Sequence, residues 1–161
     1  MKDYKILVPI SFSASSEKAL QKAVAQAEAF GGRLYVLNVY RQIPRIFDSP
    51  GGILYQKDLE VLRKEAIKDL DYFVAARLRE LRHRLNIEEV EVVSNEDPVK
   101  AILRVAREKK VDLIVLGHHD ESRLEHMLFG RNVDKIIKDA PCDVIITKAE
   151  LYKPEEEAVA I

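Results

Sequence analysis

The fold is decided by Asp112-Leu113-Ile114-Val115-Leu116-Gly117, in which four aliphatic residues follow one another without a polar residue between them. A strand with one face in water would alternate, so this run predicts a strand covered on both faces, as in a parallel sheet. Four further runs rich in aliphatic residues predict strands: Ile6-Leu7-Val8, Leu34 to Val39, Val90 to Val93 and Val144-Ile145-Ile146. Because Val90 to Val93 alternates in part, we expect that strand at an edge of the sheet.

Helical periodicity fills the gaps between these runs. Gly31-Gly32 is expected to end the first helix, and Asp97-Pro98 to begin the third as N-cap and first helical residue. Ser122 and Glu125 have the spacing of a capping box, which predicts a fourth helical segment running to about Lys138. The predicted apolar faces are Ala19, Leu20, Ala23, Val24, Ala27 and Phe30 in the first helix, Leu59, Leu62, Ala66, Leu70, Phe73, Leu78, Leu81 and Leu85 in the second, and Ile102, Leu103 and Ala106 in the third.

The alternation of five strands with four helical segments predicts the fold class. It is α/β, with a three-layer, doubly wound, five-stranded parallel sheet of Rossmann-like type. The 161 residues suit a single domain, which we place at residues 1–148. Residues 41–55 form its long loop, whose apolar side chains either fold back on the core or form a lid or partner surface. Residues 149–161 are expected to be a loosely held tail.

Bulk composition excludes several classes of protein. Hydrophobic residues make up 47% and charged residues 33%, which argues against disorder. The net charge of -1 disfavours nucleic-acid binding, which relies on a basic surplus. The opening residues are polar and no apolar run is long enough to span a bilayer, so we expect a cytoplasmic protein without a membrane partner. Cys142 is the single cysteine, and its place before an apolar strand predicts a buried, inert thiol.

In a sheet of this kind ligands bind beyond the carboxyl ends of the strands, where the strand order switches. The residues expected there are Pro9 to Ser13, Tyr40, and Gly117 to Asp120. His118, His119, Asp120 and His126 match no zinc-site spacing, so no metal site is predicted. Ser13 and Ser15 are expected to cap the first helix, since no base lies beside them in the sequence.

A basic cluster stands near the end of the second helix, where cations complement the helix dipole. It consists of Arg77, Arg79, Arg82, His83 and Arg84. The sequence favours a solvated helix face over a surface for an acidic or RNA partner.

Three segments resemble the universal stress protein (UspA) family. The opening Ile6-Leu7-Val8-Pro9, with Ser13, Ser16, Ala19 and Leu20, is similar to the family's I-L-V-P-V-D-G-S-x-x-S-x-x-A-L. Asp112 to Gly117 resembles its D-L-I-V-M-G strand, and Ala140 to Val144 resembles its closing A-P-C-P-V. The resemblance covers roughly residues 4–148 and implies an adenine nucleotide alpha hydrolase-like fold and a role in stress adaptation.

Many members of that family bind ATP through G-x-x-G-x9-G-[S/T]. By resemblance the first glycine is Gly117, the second falls on Asp120, the third is Gly130, and the hydroxyl position is Arg131. A family aspartate after the first strand falls on Ser11. With Pro9, and with Val39 where the family has a small aliphatic residue beside the adenine, the nucleotide-site positions are Pro9, Ser11, Val39, Gly117, Asp120, Gly130 and Arg131.

The departures at Asp120 and Arg131 bear on nucleotide binding. A carboxylate facing a phosphate at 4 Å near a surface costs roughly 1 to 4 kcal/mol. A guanidinium, by contrast, is a good phosphate partner. One hypothesis is that Asp120 and Arg131 pair across an empty phosphate subsite; the alternative is that Arg131 grasps a nucleotide while Asp120 points to solvent.

The sequence therefore predicts a dimeric stress-response interaction or sensing module with weakened or lost ATP binding. The resemblance implies a homodimer formed through the last strand, at Val144, Ile145 and Ile146, and the partner protein is unidentified. An ATP- or AMP-binding switch using Gly117, Gly130 and Arg131 is the alternative, with a slow ATP hydrolase as the enzymatic version. No catalytic residue is predicted, because Ser11 stands where the most obvious carboxylate would be.

Overall fold

A computed structural model describes residues 3–10, 14–41, 56–94, 96–118 and 133–148 of the chain. Its elements are β1 (Lys5–Ile10), α1 (Ala14–Phe30), β2 (Arg33–Arg41), α2 (Gln56–Leu78), a 3-10 turn (Leu81–His83), β3 (Asn86–Ser94), α3 (Pro98–Lys109), β4 (Leu113–His118), the helical residues 133–139 (α4) and β5 (Asp143–Lys148). Arg41, which the sequence assigned to the long loop 41–55, is the last residue of β2. Residues 42–55 and the predicted tail 149–161 lie outside the described residues, as do Ser122 and Glu125.

The five strands form one parallel sheet in the order β3-β2-β1-β4-β5. All five predicted strands are confirmed, and β3 lies at an edge as its partial alternation predicted. Ile6 and Val8 pack with α1 and α2 on one face, whereas Leu7 packs with α3 and α4 on the other. Aliphatic residues therefore follow one another along a strand because both faces are covered.

Two adjacent glycines follow α1, and each is required for a different reason. Gly31 has a φ of 65°, a left-handed conformation that glycine adopts without a Cβ penalty. A Cβ at Gly32 would collide with the backbone oxygen of Tyr4, so close passage of the chain requires glycine there. The assignment of Phe30 to the buried face was wrong: its side chain is 56% exposed, with its ring centroid 4.9 Å from that of Tyr4. Phe30 is the last helical residue, beyond the reach of the core.

The second helix ends earlier than its apolar spacing predicted. Helix α2 stops at Leu78, and the chain continues through the 3-10 turn, with the Leu85 N–H donating to the Leu81 carbonyl at 2.8 Å. Leu81 is partly buried and Leu85 is 7% exposed, so both still reach the core. The four-residue spacing of Leu81 and Leu85 therefore fits both a helix and this tight turn. The turn places Leu85 next to the start of β3.

Helix α3 begins and ends as its capping residues dictate. The Asp97 carboxylate accepts from the N–H of Val99 at 2.9 Å and of Lys100 at 3.4 Å, which confirms the predicted N-cap. Lys110 closes the helix in a left-handed conformation, with φ 53° and ψ 52°. Across the described residues no helix is long and apolar enough to cross a lipid bilayer.

Candidate functional site

The order of the strands places a switch point between β1 and β4. The chain passes from β1 to β2 and β3 on one side, whereas β4 and β5 lie on the other. All strands are parallel, so the carboxyl ends of β1, β2 and β4 meet at one edge of the sheet. This edge, at this switch, is the position at which open α/β sheets bind ligands.

The strands β1 and β4 separate toward that edge. Their pairing covers only Ile6 with Leu113 and Leu7 with Ile114, although β1 continues to Ile10 and β4 to His118. By contrast, β4 pairs with β5 over its whole length, from Leu113 to His118. Pro9 contributes to the separation because proline has no N–H to donate to a strand ladder. In open α/β sheets a switch of this kind leaves a crevice outside the carboxyl ends of the two strands.

Three of the seven predicted nucleotide-site positions can be placed at this edge. Pro9 and Gly117 are the penultimate residues of β1 and β4, and both are partly exposed. Val39 lies beyond the end of β1 in β2 and packs against the core on the α3 side, the face that Pro9 shares by strand alternation. The remaining positions, Ser11, Asp120, Gly130 and Arg131, lie outside the described residues.

The sequence reasoning missed Asn38, which stands at the same edge. Its side chain is 5% exposed, and in the strand register it lies opposite Ile10, the last residue of β1. By strand alternation its side chain lies on the face of Leu34 and Val36, opposite to the face of Val39. The signal was available: Asn38 is the single amide in the aliphatic run of residues 34–39.

No group of three or more metal-binding side chains occurs among the residues that the structure describes. His119, Asp120 and His126, which the sequence analysis considered as zinc ligands, lie outside the described residues. The capping role predicted for Ser13 also falls outside them.

The Cys142 thiol is protonated at neutral pH. Burial, followed by the negative charges of Asp143 and Asp112, raises its pKa to about 11. The side chain is half-buried rather than fully buried, because it precedes β5 at the open edge of the sheet. The prediction of an inert thiol rests on this pKa, since the thiolate is the reactive form.

Three members of the basic cluster pair with carboxylates on neighbouring elements. Arg77 lies 3.1 Å from Glu17 of α1, and Arg84 lies 3.5 Å from Glu28 of the same helix. Arg82 pairs with Glu89 of β3. These contacts join the end of α2 and the 3-10 turn that follows it to α1 and β3, so part of the cluster connects elements within the domain.

Comparison with known proteins gives a consistent result. The family model described as "Universal stress protein family" matches residues 4–148. The chain is 30% identical over 146 residues to universal stress protein YxiE of Bacillus subtilis, covering 89% of this chain and 98% of that protein. It is 29% identical over 153 residues to a universal stress protein of Methanocaldococcus jannaschii, covering 95% and 84%.

Solved structures share the architecture. Universal stress protein UspA from Lactobacillus plantarum superposes with a TM-score of 0.69 at 25% identity, covering 91% of this chain and 98% of that chain. The universal stress protein from Archaeoglobus fulgidus in complex with dAMP has a TM-score of 0.57 at 23% identity, covering 91% and 98%. A family protein from Arabidopsis thaliana with AMP bound has a TM-score of 0.62 at 17% identity, covering 96% and 97%.

Proposed function

The chain belongs to the universal stress protein family, and on that premise we propose that it is a cytoplasmic, homodimeric sensing module that binds adenine nucleotides weakly. The observation that carries the nucleotide part is the separation of β1 from β4 after Leu7 and Ile114. Of the positions assigned by the family resemblance, Pro9, Val39 and Gly117 lie at this carboxyl edge, which supports the proposal.

The chemistry of the crevice suits a nucleotide. Pro9 and Val39 present apolar atoms on one face of the sheet, which fits the flat surface of a base. Gly117, at the end of β4, has no side chain, so a phosphate can approach its backbone closely. The dAMP and AMP complexes of the two relatives named above support adenine nucleotides as the ligand class.

Three departures from the family motif support weak binding. Asp120 brings a negative charge to a glycine position beside the phosphates, and Ser11 removes a carboxylate that helps to hold the nucleotide. On the first of the two hypotheses given by the sequence, Arg131 pairs with Asp120 and occupies the phosphate subsite. Binding therefore requires that this pair be displaced.

The dimer part of the proposal rests on a contrast between the two edges of the sheet. On β3, Glu88 pairs with Lys109 at 2.7 Å and Glu89 pairs with Arg82, and charged edges resist pairing with another strand. The other edge, β5, carries Val144-Ile145-Ile146, and Ile146 is 38% exposed. A twofold contact between two β5 strands would cover this edge.

Calorimetric titration of ATP and AMP tests the nucleotide part. We expect Asp120→Asn to tighten ATP binding at least tenfold, because it removes both the repulsion and the partner that holds Arg131 in the subsite. Asp134→Asn removes one negative charge from an exposed position on α4 and should leave affinity unchanged. Micromolar ATP binding by the native chain, unaffected by Asp120→Asn and lost in Arg131→Ser, would instead establish the switch in which Arg131 holds the phosphates.

A further inference from the structure

A groove of about 320 Å³ lies on the protein surface between α1 and the chain at residues 77–81. Its apolar lining comes from both sides, with Leu20 and Val24 on α1 and with Leu78 and Leu81 opposite them. Val24 and Leu81 are only partly buried, so they leave apolar surface in contact with water. Because ligand sites have volumes of about 300–1,000 Å³, the groove is large enough for a few aliphatic side chains.

The exposed side of α1 next to this groove is positively charged. The two acids of the helix, Glu17 and Glu28, are paired with arginines of the basic cluster. Lys18 and Lys22 lie one turn apart and therefore share a face. Lys22 is exposed and forms no ion pair with any residue that the structure describes, and it follows Gln21, which lines the groove. A segment that crosses α1 into the groove would meet positive charge first and apolar surface second.

The chain that follows β5 carries the complementary order of side chains. Glu155-Glu156-Glu157 precedes the apolar Ala158-Val159-Ala160-Ile161. Helix α1 packs against β1, β4 and β5, whereas α2 packs against β2 and β3, so α1 lies between β5 and the groove. The strand β5 ends at the edge of the sheet at which α1 begins. Residues 149–154 span up to about 20 Å when extended, which exceeds the helix diameter of about 10 Å that must be crossed.

We propose that the segment 155–161 binds to its own domain, with its acids over Lys18 and Lys22 and with Val159 and Ile161 in the groove between α1 and residues 77–81. The charge pairs orient the segment, and the burial of its aliphatic side chains stabilises the contact. The bound segment removes from water an apolar surface that the domain would otherwise expose. This inference is independent of the nucleotide binding proposed above, because it involves a different part of the surface.

Disulfide cross-linking in the full chain tests the contact. Since Cys142 is the single cysteine, Cys142→Ser provides a background into which pairs of cysteines can be introduced. The test pair is Gln21→Cys with Val159→Cys. The control pair is Lys100→Cys with Val159→Cys, because Lys100 is exposed on α3, which covers the other face of the sheet. On oxidation with copper phenanthroline we expect the test pair to form a disulfide within one chain about tenfold faster than the control pair.

A change of charge tests the other half of the contact. Lys22→Glu should slow cross-linking of the test pair about threefold, and Glu156→Lys in the same chain should restore the rate. Equal rates for the test and control pairs would overturn the inference, as would a rate that Lys22→Glu leaves unchanged. A disulfide that forms only between chains, faster at higher protein concentration, would assign the groove to a second copy and would also overturn it.

Discussion

The Nε of Arg77 donates to Oε1 of Glu17 across 3.1 Å, and this contact ties the last turn of α2 to the first turn of α1. The guanidinium also lies over the Phe73 ring, with its central carbon 3.9 Å from the centroid. Because Phe73 is buried in the core, Arg77 links that core to the helix that follows β1. The link lies on the α1 face of the sheet.

We expect Arg77→Met to lower the free energy of unfolding by about 1 kcal/mol, since it removes the ion pair and the cation–π contact together. Glu17→Gln should lower the free energy of unfolding by only about 0.5 kcal/mol, because the ion pair is partly exposed to solvent and is screened by salt. Urea denaturation in low and high salt measures both losses. In high salt the Glu17→Gln loss should largely disappear, whereas the Arg77→Met loss should shrink only in part, because the cation–π contact with Phe73 is also removed. Arg79→Met, two residues further along, is the control; a loss equal to that of Arg77→Met would contradict the assignment.

The left-handed C-cap of α3 predicts a stabilising substitution. Lys110 has φ 53° and ψ 52°, a conformation that strains every residue except glycine and, to a lesser extent, asparagine. Lys110→Gly should therefore raise the free energy of unfolding by about 1 kcal/mol. The same exchange within α3, Lys100→Gly, should lower it by about 1 kcal/mol. Thermal unfolding compares the two, and a change of the same sign in both variants would refute the prediction.

The contrast between the sheet edges predicts the outcome of a change on β5. Ile146→Lys should convert a dimer to a monomer, because a twofold contact would bring two like charges together. Sedimentation velocity measures the change. Tyr72→Lys is the control, since Tyr72 is 77% exposed on α2, away from either edge strand. A native chain that sediments as a monomer, or a dimer that survives Ile146→Lys and dissociates in Tyr72→Lys, would rule out β5 as the interface.

The raised pKa of Cys142 predicts slow modification of the native protein. The thiol ionises near pH 11 in the folded chain and near pH 8.5 when unfolded. Alkylation by iodoacetamide should therefore be slow at pH 8 and accelerate up to about pH 11, whereas protein unfolded in guanidinium should react rapidly at pH 9. Cys142→Ser provides the baseline. A native rate that levels off near pH 9 would be inconsistent with this pKa.

The same pKa shift sets a pH dependence of stability. Between pH 8.5 and pH 11 the unfolded chain binds fewer protons at this thiol than the folded chain does. The free energy of unfolding should therefore fall as pH rises through this window, and it should fall less in Cys142→Ser. Since the side chain is only half-buried, we expect a difference of about 1 kcal/mol between the two proteins at pH 10.5. Denaturation at pH 7 and pH 10.5 measures it.

The features that were predicted correctly depend on neighbours in the chain. The aliphatic runs gave the strands, and Asp97-Pro98 gave the start of α3, because a cap bonds to N–H groups two and three residues away. The errors arose where a distant contact decides. Leu81 and Leu85 fit a helix by spacing, yet the chain turns there so that β3 can enter the sheet.

The sequence by itself determined the strand and helix order, the parallel sheet and the family resemblance, since aliphatic runs, caps and motifs are local signals. Only the tertiary structure decided which residues meet at the site. The parting of β1 from β4, and the burial of Asn38 beside Ile10, depend on strands more than 25 residues apart in the chain. A pattern along the chain indicates which face of the sheet a residue occupies, but not which residues of distant strands lie beside it.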